Sequence, residues 1–559
     1  MMTPKWITAL AAGAIIMALS ACDGGGDDTT TTLPPTVEEG AATTLGVQAV
    51  DANTGEPIQN TTFTITDGGA AFTTTTAIEE AGVATFTLND ANNPTVAAVN
   101  ASVKVTADGY LDSNKSIVIE ETGAVDLEIS MLSIAGPKPI GTEVATDTST
   151  STNGTVATGI NVTAATTASN AGASEQESVG IVVDPSVTMT DASGNAVTGT
   201  LTTTVSYYDA NSPDALEAFP GGFAVTLANP NDVNVGNSSS IENGEVSFLS
   251  GGFTAVEISN EAGTKVKSFS TPVPITFTIS EDTINPDTEA AVQVGELLPI
   301  WSFDVDTGKW SFEGSGTVSD PTGGDGLLQV EYEASHLSYW NLDWYRAGSN
   351  RCRTTNIDIL SSSGGIYERY ARMRMSRSGY SRTRYYRGDG FLTLKNSPRN
   401  VSTTITFTDP TTGTELASVS VPDLCSLTEI TLTPPDESTR VYADVTIKTV
   451  TYCSNDDTQP EQPISSSYVR LYQSSPRFQY IGRRYTDSAG EATYSNLLVS
   501  TGASSPEYRV YVRNRIDNQW SIYQNQTFSQ ANNTLLVRIP QTCETTTGST
   551  GDGGTGAGS

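Results

Sequence analysis

The sequence predicts an all-β protein built from tandem antiparallel Greek-key β-sandwich modules of the immunoglobulin-like kind. Apolar and polar residues alternate over runs of about five residues, as they do in strands with one buried face. Turn-forming clusters of glycine, asparagine, aspartate and proline separate these runs, and the 559 residues include 50 glycines and 21 tyrosines. Amphipathic stretches of helical period are scarce. This length and composition are typical of an exported protein with roughly two to five domains.

The first segment predicts export. Lys5 precedes an uncharged apolar run, 6–19, that is too short to span a bilayer as a stable helix. The run leads into Leu-Ser-Ala-Cys at residues 19–22, which resembles the lipobox of bacterial lipoproteins. The resemblance implies that residues 1–21 are a lipoprotein signal peptide and that Cys22 carries acyl chains such as palmitate. An ordinary secretory signal is the alternative. Residues 22–41 are then predicted to form a flexible tether.

Residues 42–134 are predicted to form the first β-sandwich, because Leu45, Val47 and Ala49 alternate with polar residues. The segment contains Asp-x-x-Thr-Gly-x-Pro-Ile at 51–58, Gly-x-Ala-x-Phe at 82–86 and Ala-x-Gly-Tyr at 107–110. This order resembles the carboxypeptidase regulatory-like (transthyretin-like) domains. The resemblance implies a Greek-key β-sandwich without catalytic residues, and it transfers no sugar-binding residue.

Residues 135–178 are rich in threonine, serine and alanine, and are predicted to be either a linker or the source of a first strand near 159–163. The module at 179–345 is rich in strands and includes a predicted hairpin turn at 304–309. Its end combines Pro-Ile-Trp, Thr-Gly-x-Trp and His-Leu-Ser-Tyr-Trp, and resembles the extracellular module of the astroprincin family. The chain lacks that family's transmembrane helix and cytoplasmic tail, so the resemblance implies a fold and an extracellular setting.

Two more sandwiches are predicted at 346–431 and 440–543, as degenerate repeats of one scaffold with Asp-x-Gly-type turns. Each begins near a cysteine and ends near one, and exported proteins favour disulfides. The predicted bonds are Cys352–Cys425 and Cys453–Cys543. The tail at 544–559 consists mainly of glycine, threonine and serine, and disorder is expected there.

Charge divides the chain into two parts. Residues 1–345 hold seven lysines, no arginine and 44 acidic residues, whereas every arginine lies at or after Arg346. The first part therefore disfavours nucleic acid and anionic surfaces as partners. Residues 346–400 alone contain 11 arginines and one lysine against three acidic residues.

Arginine forks beside tyrosine rings suit sulfated or carboxylated glycans, the phosphates of lipopolysaccharide, or single-stranded nucleic acid. The candidate ligand-binding residues are Arg372, Arg374, Arg382, Arg384, Tyr385 and Tyr386. Two other interpretations stay open. In one, these side chains simply occupy exposed strand positions. In the other, they balance the acidic half of the same chain or of a neighbouring molecule.

No catalytic residue, metal or cofactor is predicted. His336 is the single histidine, and the sequence contains no nucleophile motif for which it could act as a catalytic base. We expect its imidazole to make a hydrogen bond to a neighbouring strand or turn. The four late cysteines lack the spacing of a zinc site. The acidic turns at 51–55 and 304–308 offer oxygen ligands for calcium, but such turns form without a metal.

The sequence therefore favours a non-catalytic, lipid-anchored protein of the bacterial cell envelope that serves adhesion, scaffolding or glycan and polyanion binding. Its anchor makes the membrane a partner, with the modules facing the periplasm or exposed at the cell surface, and self-association is a further expectation. One alternative is a carbohydrate-binding protein in the strict sense, with an exposed aromatic platform. A second is a glycan-active hydrolase that uses paired carboxylates.

Overall fold

The computed structural model describes residues 44–67, 70–71, 74–80, 83–88, 99–119, 124–166, 176–236, 241–386, 388, 390–409, 412–435, 440–456, 458–475, 479–502, 505–514, 516 and 520–543. The predicted signal peptide at 1–21, Cys22, the tether at 22–41 and the tail at 544–559 lie outside these residues. Among the residues described, no helix has both the length and the apolar character needed to cross a membrane.

The first module is a sandwich of two four-stranded sheets. Its strands are β1 (Thr44–Asp51), β2 (Thr62–Asp67), β3 (Ala70–Ala71), β4 (Thr74–Glu80), β5 (Val83–Leu88), β6 (Val99–Thr106), β7 (Ser113–Ile119) and β8 (Ala124–Met131). One sheet has the order β4-β5-β1-β8 and the other β3-β2-β6-β7. Leu45, Val47 and Ala49 are buried between the sheets, so the predicted alternation is confirmed.

The central module contains one continuous 13-stranded sheet and a short helix. Its elements are β9 (Thr142–Thr152), β10 (Thr155–Val156), β11 (Ile160–Ala165), β12 (Ser178–Val183), β13 (Met189–Thr190), β14 (Gly199–Tyr208), α1 (Pro213–Glu217), β15 (Ala224–Thr226), β16 (Glu245–Asn260), β17 (Ser268–Ser280), β18 (Ile284–Asn285), β19 (Ala290–Ala291), β20 (Leu297–Asp304), β21 (Lys309–Ser319), β22 (Leu327–His336) and β23 (Tyr339–Arg346). The main path is β10-β9-β14-β16-β23-β20-β21-β22-β17-β12-β11; β13 pairs with β17 and β15 with β16, while β18 and β19 form a separate ribbon. Strands β11 and β12 pack across β9 and β14, so the sheet folds back over one core.

The segment 135–178 is a part of this sheet. Strands β9, β10 and β11 lie within it, and β11 coincides with the strand expected near 159–163. The structure therefore favours the strand alternative over the linker wherever this segment is described. Its threonines and serines are compatible with a strand because β9 pairs with β14 from Thr142 to Ser151, and most of its side chains are partly or fully exposed.

The last two modules are two-sheet sandwiches. The arginine-rich module has β24 (Arg351–Ser361), β25 (Ala371–Arg377), β26 (Tyr380–Tyr386), β27 (Phe391–Pro398), β28 (Thr403–Thr408), β29 (Glu415–Val421) and β30 (Glu429–Leu432). The C-terminal module has β31 (Val441–Cys453), β32 (Gln462–Pro463), β33 (Tyr468–Ser475), β34 (Gln479–Tyr485), β35 (Glu491–Ser500), β36 (Glu507–Arg513), β37 (Trp520–Gln526) and β38 (Thr534–Gln541). Short 3₁₀ turns occur at Pro230–Asp232, Gly348–Asn350 and Leu424–Ser426.

The first, arginine-rich and C-terminal modules share one strand order. In each, the first strand pairs in parallel with the last strand and antiparallel with a middle strand, as β24 does with β30 and β27. The equivalent pairings are β1 with β8 and β5, and β31 with β38 and β35. The second sheets correspond as well: β26-β25-β28-β29 matches β34-β33-β36-β37. This shared topology is what repeats of one scaffold would have, and the predicted all-β sandwich architecture is confirmed.

Both predicted disulfides are present. Cys352 on β24 bonds Cys425, which lies in the 3₁₀ turn before β30, and Cys453 at the end of β31 bonds Cys543, which follows β38. Each bond therefore joins the first strand of its module to the neighbourhood of the last strand. A bond in this place closes almost the whole module into one loop.

The first module docks on the hairpin turn that was predicted at 304–309 and that the structure contains between β20 and β21. Asn114 Nδ2 donates a 2.8 Å hydrogen bond to the Val305 carbonyl, and Lys104 Nζ lies 2.6 Å from Asp306 Oδ1. Gly308 in this turn has φ +69°, and a Cβ there would collide with Ser102 of the first module. The close approach therefore requires glycine at this position.

Candidate functional site

Among the described residues, six arginines make ion pairs with acidic side chains of the central module; five belong to the arginine-rich module, and Arg346 ends β23. We call this set of pairs the arginine seam. Its pairs are Arg346–Asp287 (2.5 Å), Arg351–Glu245 (3.0 Å), Arg353–Glu242, Arg372–Glu217, Arg374–Asp214 (2.9 Å) and Arg377–Glu289 (3.6 Å). All six acidic partners lie between residues 214 and 289, in the half of the chain that has no arginine. The opposite charges of the two halves therefore meet within one molecule.

The register of β25 and β26 divides the four predicted arginines between two faces of one sheet. Met373 and Met375 are buried in the core, and Arg372 and Arg374 alternate with them on the other face. Across the ladder, Arg384 lies opposite Met373 and Arg382 lies opposite Met375. Directly opposed residues project to the same face. Arg382 and Arg384 therefore share the face of the methionines, and the four guanidinium groups do not form one surface.

Arg372 and Arg374 converge on Glu217, the last residue of α1. Arg374 Nη2 lies 3.3 Å from Glu217 Oε2, and Thr383 Oγ1 donates a 2.8 Å hydrogen bond to Glu217 Oε1. Burial by itself raises the pKa of this carboxyl, but Arg372 and Arg374 outweigh burial and hold the pKa at about 2. Glu217 is therefore ionised at neutral pH, and its two cations are neutralised from within the chain.

Arg382 and Arg384 line a cleft of about 380 Å³ at the junction of three modules. Lys115 of β7 and Glu128 of β8 line it from the first module. Leu216 to Ala224 border it from the central module, and Lys395 of β27 faces it from the arginine-rich module. Arg382 Nη1 donates a hydrogen bond to the Lys395 carbonyl. This cleft brings together two of the predicted arginines with cationic groups that the sequence pattern did not connect to them.

The two predicted tyrosines have different surroundings. Tyr385 is partly buried at the cleft, and its hydroxyl donates a 2.6 Å hydrogen bond to Glu128 Oε2. Tyr386 is buried in the core, where its hydroxyl donates to the Tyr367 carbonyl and accepts a 2.8 Å hydrogen bond from the Gly390 amide. Tyr386 therefore positions the turn before β27 and does not reach a ligand surface.

His336 has the structural surroundings that its sequence context predicted. Its Nε2 lies 3.2 Å from Glu313 Oε1 on β21, the strand next to β22, and its ring lies 5.0 Å from that of Trp340. Burial raises the pKa of Glu313, but hydrogen bonds from His336 and Ser302 outweigh burial and lower it. The imidazole thus makes a hydrogen bond that links two neighbouring strands.

The acidic turns use their carboxylates to cap their own backbones. Asp51 Oδ1 accepts 2.9 Å hydrogen bonds from the amides of Asn53 and Thr54. Asp304 Oδ1 accepts a 2.9 Å bond from the Asp306 amide. These are the local side-chain-to-backbone bonds that aspartate makes in turns.

The sequence did not single out the buried carboxyl pair Glu177 and Asp209. Both side chains are buried; Tyr207 Oη donates a 2.8 Å hydrogen bond to Glu177 Oε2, and the Ser280 amide donates one of 2.8 Å to Oε1. Burial, together with the neighbouring Asp209, raises the pKa of Glu177 well above its ordinary value. The pair thus holds a proton inside the fold, where a polysaccharide has no access. Sequence spacing does not reveal such a pair. Glu177 precedes β12 and Asp209 follows β14, and the two residues meet only in the folded sheet.

The comparisons with known proteins do not assign this chain to a family. No family model matches the chain, and no curated protein matches it. Solved structures that align include the TIE protein of Bacillus anthracis, with 8% identity, 71% of this chain and 57% of that chain covered, and a TM-score of 0.13. The major pilin subunit BcpA of Bacillus cereus aligns with 8% identity over 90% of this chain and 99% of that chain, at a TM-score of 0.14.

Two B repeat units of the collagen-binding protein of Staphylococcus aureus align with 11% identity over 89% of this chain and 99% of that chain, at a TM-score of 0.13. The chain spans 57% of the length of the TIE protein. Similarity at these TM-scores carries no argument about this chain, and the resemblances to regulatory-like and astroprincin modules stay predictions.

Proposed function

We propose that this chain is a non-catalytic protein of the cell envelope, held at a membrane through acyl chains on Cys22. In this role the arginine seam locks the arginine-rich module onto the acidic central module. The result is a rigid scaffold that holds its outer modules away from the membrane for adhesion. The seam is the observation that carries the proposal.

The seam is backed by a continuous apolar core. One cluster of buried side chains runs from the central module into the arginine-rich module, with the rings of Phe223 and Tyr380 5.5 Å apart at the boundary. The Gly379 carbonyl also accepts a 2.7 Å hydrogen bond from the Ser250 amide. Because an interface with an apolar core and paired charges resists domain motion, the two modules are expected to move as one body.

The next junction has the same character. Arg440 Nη1, just before β31, lies 3.0 Å from Asp409 Oδ2 of the arginine-rich module, and both side chains are buried. A buried pair of this kind fixes the orientation of the C-terminal module relative to its neighbour. Breaking the pair would leave a buried charge without a partner. A scaffold needs such fixed junctions; a set of independently moving binding modules does not.

The charged groups support a structural role over a hydrolytic one. His336 is engaged by Glu313, and Glu177 and Asp209 are buried. A strict carbohydrate-binding protein would use a platform of exposed tryptophans. The four tryptophans whose side chains are described do not form one. Trp301, Trp310, Trp340 and Trp344 are at most 5% exposed.

The anchor and the seam are tested separately in the full-length protein. Cys22→Ser should move the protein from the membrane fraction to the soluble fraction, and protease treatment of intact cells should reveal whether the modules face outward. For the seam, Arg372→Gln with Arg374→Gln should make the bonds after Arg346 and Arg351, which flank the link at Gly348–Asn350, accessible to trypsin. It should also increase the radius of gyration in X-ray scattering.

Arg538→Gln is the matched control, because Arg538 pairs with Glu461 within the C-terminal module and lies outside the seam. It should leave proteolysis and scattering unchanged. A seam variant that stays as compact and as trypsin-resistant as the control would overturn the rigid-scaffold proposal. Normal membrane fractionation of Cys22→Ser would overturn the anchor.

A further inference from the structure

The cleft at the junction of three modules has more positive than negative side chains in its lining. Lys115, Arg382, Arg384 and Lys395 contribute cations, whereas Glu128 and Glu217 contribute carboxylates. Glu217 is already committed to the arginine seam. The cleft therefore carries a surplus of positive charge in a partly buried position.

Arg384 is the centre of this surplus. Within the described part of the chain, no acidic side chain pairs with its guanidinium, although Arg382 lies two residues away on the same face of β26. The positive field of Arg382, followed by burial, lowers the pKa of Arg384 to about 9. A guanidinium stays charged at neutral pH, so the repulsion between Arg382 and Arg384 persists there, and among the described residues Tyr380 opposes it only in part.

Lys115 adds to the same field from the first module. Burial lowers the pKa of its ammonium, Glu217 and Glu128 act against that effect, and Arg384 and Arg372 reinforce it. Among the described residues, its Nζ has one hydrogen-bond acceptor, the Glu128 carbonyl at 3.4 Å. The cleft thus places a lysine of the first module near an arginine of another module across open space, an arrangement that an oxyanion between them would stabilise.

The remaining lining combines apolar side chains with serine and threonine hydroxyls, and the cleft is of limited size. Leu216, Phe219, Phe223 and Leu392 border the cleft, and a volume of about 380 Å³ lies in the lower range of small-ligand pockets. A planar guanidinium fork binds carboxylate, sulfate and phosphate through two parallel hydrogen bonds. The site therefore combines an anion contact with room for a group of about one sugar ring.

We propose that this cleft binds a small ligand with one oxyanion, of the size and class of a single acidic sugar residue, and that Arg384 is its main anion contact. Lys115 and Arg382 flank the oxyanion, and the apolar wall covers the ring. This site goes beyond the scaffold role, and it depends on neither the anchor nor adhesion. Because the first, central and arginine-rich modules all line the cleft, occupancy would also strengthen their junction.

Binding is tested on the full-length protein by calorimetry and thermal unfolding, with inorganic sulfate, glucuronate and glucose as probes at low ionic strength. Sulfate and glucuronate should bind and raise Tm, and glucose, which lacks the charge, should do neither. Affinity should fall several-fold between 20 and 200 mM NaCl, because salt screens a partly buried charge pair only in part. No binding of either anion overturns the proposal, and binding of sulfate without glucuronate overturns the assignment to a sugar-sized acid.

Arg384→Gln removes the main contact and should weaken glucuronate binding by at least tenfold. Because the guanidinium is uncompensated, this variant without ligand should have a Tm equal to or above that of the parent protein. A Tm several degrees lower, or unchanged affinity, contradicts the proposed role. Arg538→Gln is the matched control, since it removes one positive charge from an exposed position outside both the seam and the cleft.

Thr393→Glu provides a second, independent variant. Thr393 lines the cleft from β27, and a carboxylate there would occupy the positive field in place of a ligand. It should abolish glucuronate binding and raise the Tm of the free protein. Retained binding in this variant would refute the assignment of the site, whatever the behaviour of Arg384→Gln.

Discussion

Replacing Glu217 with glutamine tests the charge seam at its most strongly coupled point. Glu217 is 18% exposed, receives Arg372 and Arg374, and has its pKa lowered from 4.5 to about 2 despite burial. At about 1.36 kcal/mol for each pKa unit, this difference corresponds to about 3 kcal/mol of folding free energy at pH 7. Glu217→Gln should therefore lower the free energy of unfolding by about 3 kcal/mol, since it keeps the shape of the side chain and removes only the charge.

The pH dependence of this loss has a defined sign. A carboxyl whose pKa is depressed in the folded state stabilises the protein above its unfolded pKa, and the stabilisation disappears as pH falls through the folded pKa. The difference between parent and variant should therefore be complete above about pH 5.5, shrink between pH 4.5 and 2, and be nearly absent at pH 2.

Urea unfolding followed by tryptophan fluorescence provides the assay. Four of the six tryptophans are buried on β20, β21 and β23, so the signal reports mainly on the central module, which includes Glu217. Glu281→Gln, at an exposed turn after β17, is the control with the same change of charge and should shift the transition by less than about 0.5 kcal/mol. A loss below about 0.5 kcal/mol for Glu217→Gln at pH 7, or a loss of the same size at pH 2, would refute the reasoning.

Three further results are expected. Cys22→Ser should abolish incorporation of a radiolabelled fatty acid, and labelling that persists in the variant would place the acyl group elsewhere. Paired replacement of Cys352 and Cys425 by serine opens a loop with a sequence separation of 73 and should destabilise the arginine-rich module by about 4 kcal/mol on the chain-entropy model, as measured by urea unfolding against the oxidised parent. An effect below about 1 kcal/mol would contradict that model here. Because the pKa of Glu177 is raised by burial and by Asp209, the stability of the parent protein should fall as pH rises above the ordinary pKa of 4.5, whereas Glu177→Gln should flatten this fall. Parallel pH profiles of unfolding midpoint for the two proteins would show that Glu177 ionises without penalty.

Much of the fold could be predicted because it rests on local pattern. The alternation at Leu45, Val47 and Ala49 sets which face of β1 is buried, and the turn at 304–309 appears where its residues predict it. The disulfides were predictable for a similar reason. The cysteines mark the ends of each repeat, and the sandwich brings its first and last strands side by side.

The segment 135–178 shows where local pattern was insufficient. Threonine-rich stretches have the composition of linkers and of edge strands alike, so the sequence left two alternatives open. The pairings of β9 with β14 and of β11 with β12 place the segment in a sheet. The pairing of β9 depends on a partner roughly fifty residues away, which no short window of sequence reveals.

For the candidate site, the sequence determined the kinds of groups available, and the tertiary structure decided what they do. The charge division and the clustering of arginine are properties of composition. They left three interpretations open: exposed strand positions without a partner, an outside polyanion, or neutralisation by the acidic half. The structure assigned Arg372 and Arg374 to Glu217 and Asp214, and left Arg384 facing an open cleft with Lys115. The physical reason is that a strand's two faces have opposite surroundings. Which cation finds an acid depends on strand register and on the docking of whole modules, and neither is encoded in the spacing of the arginines themselves.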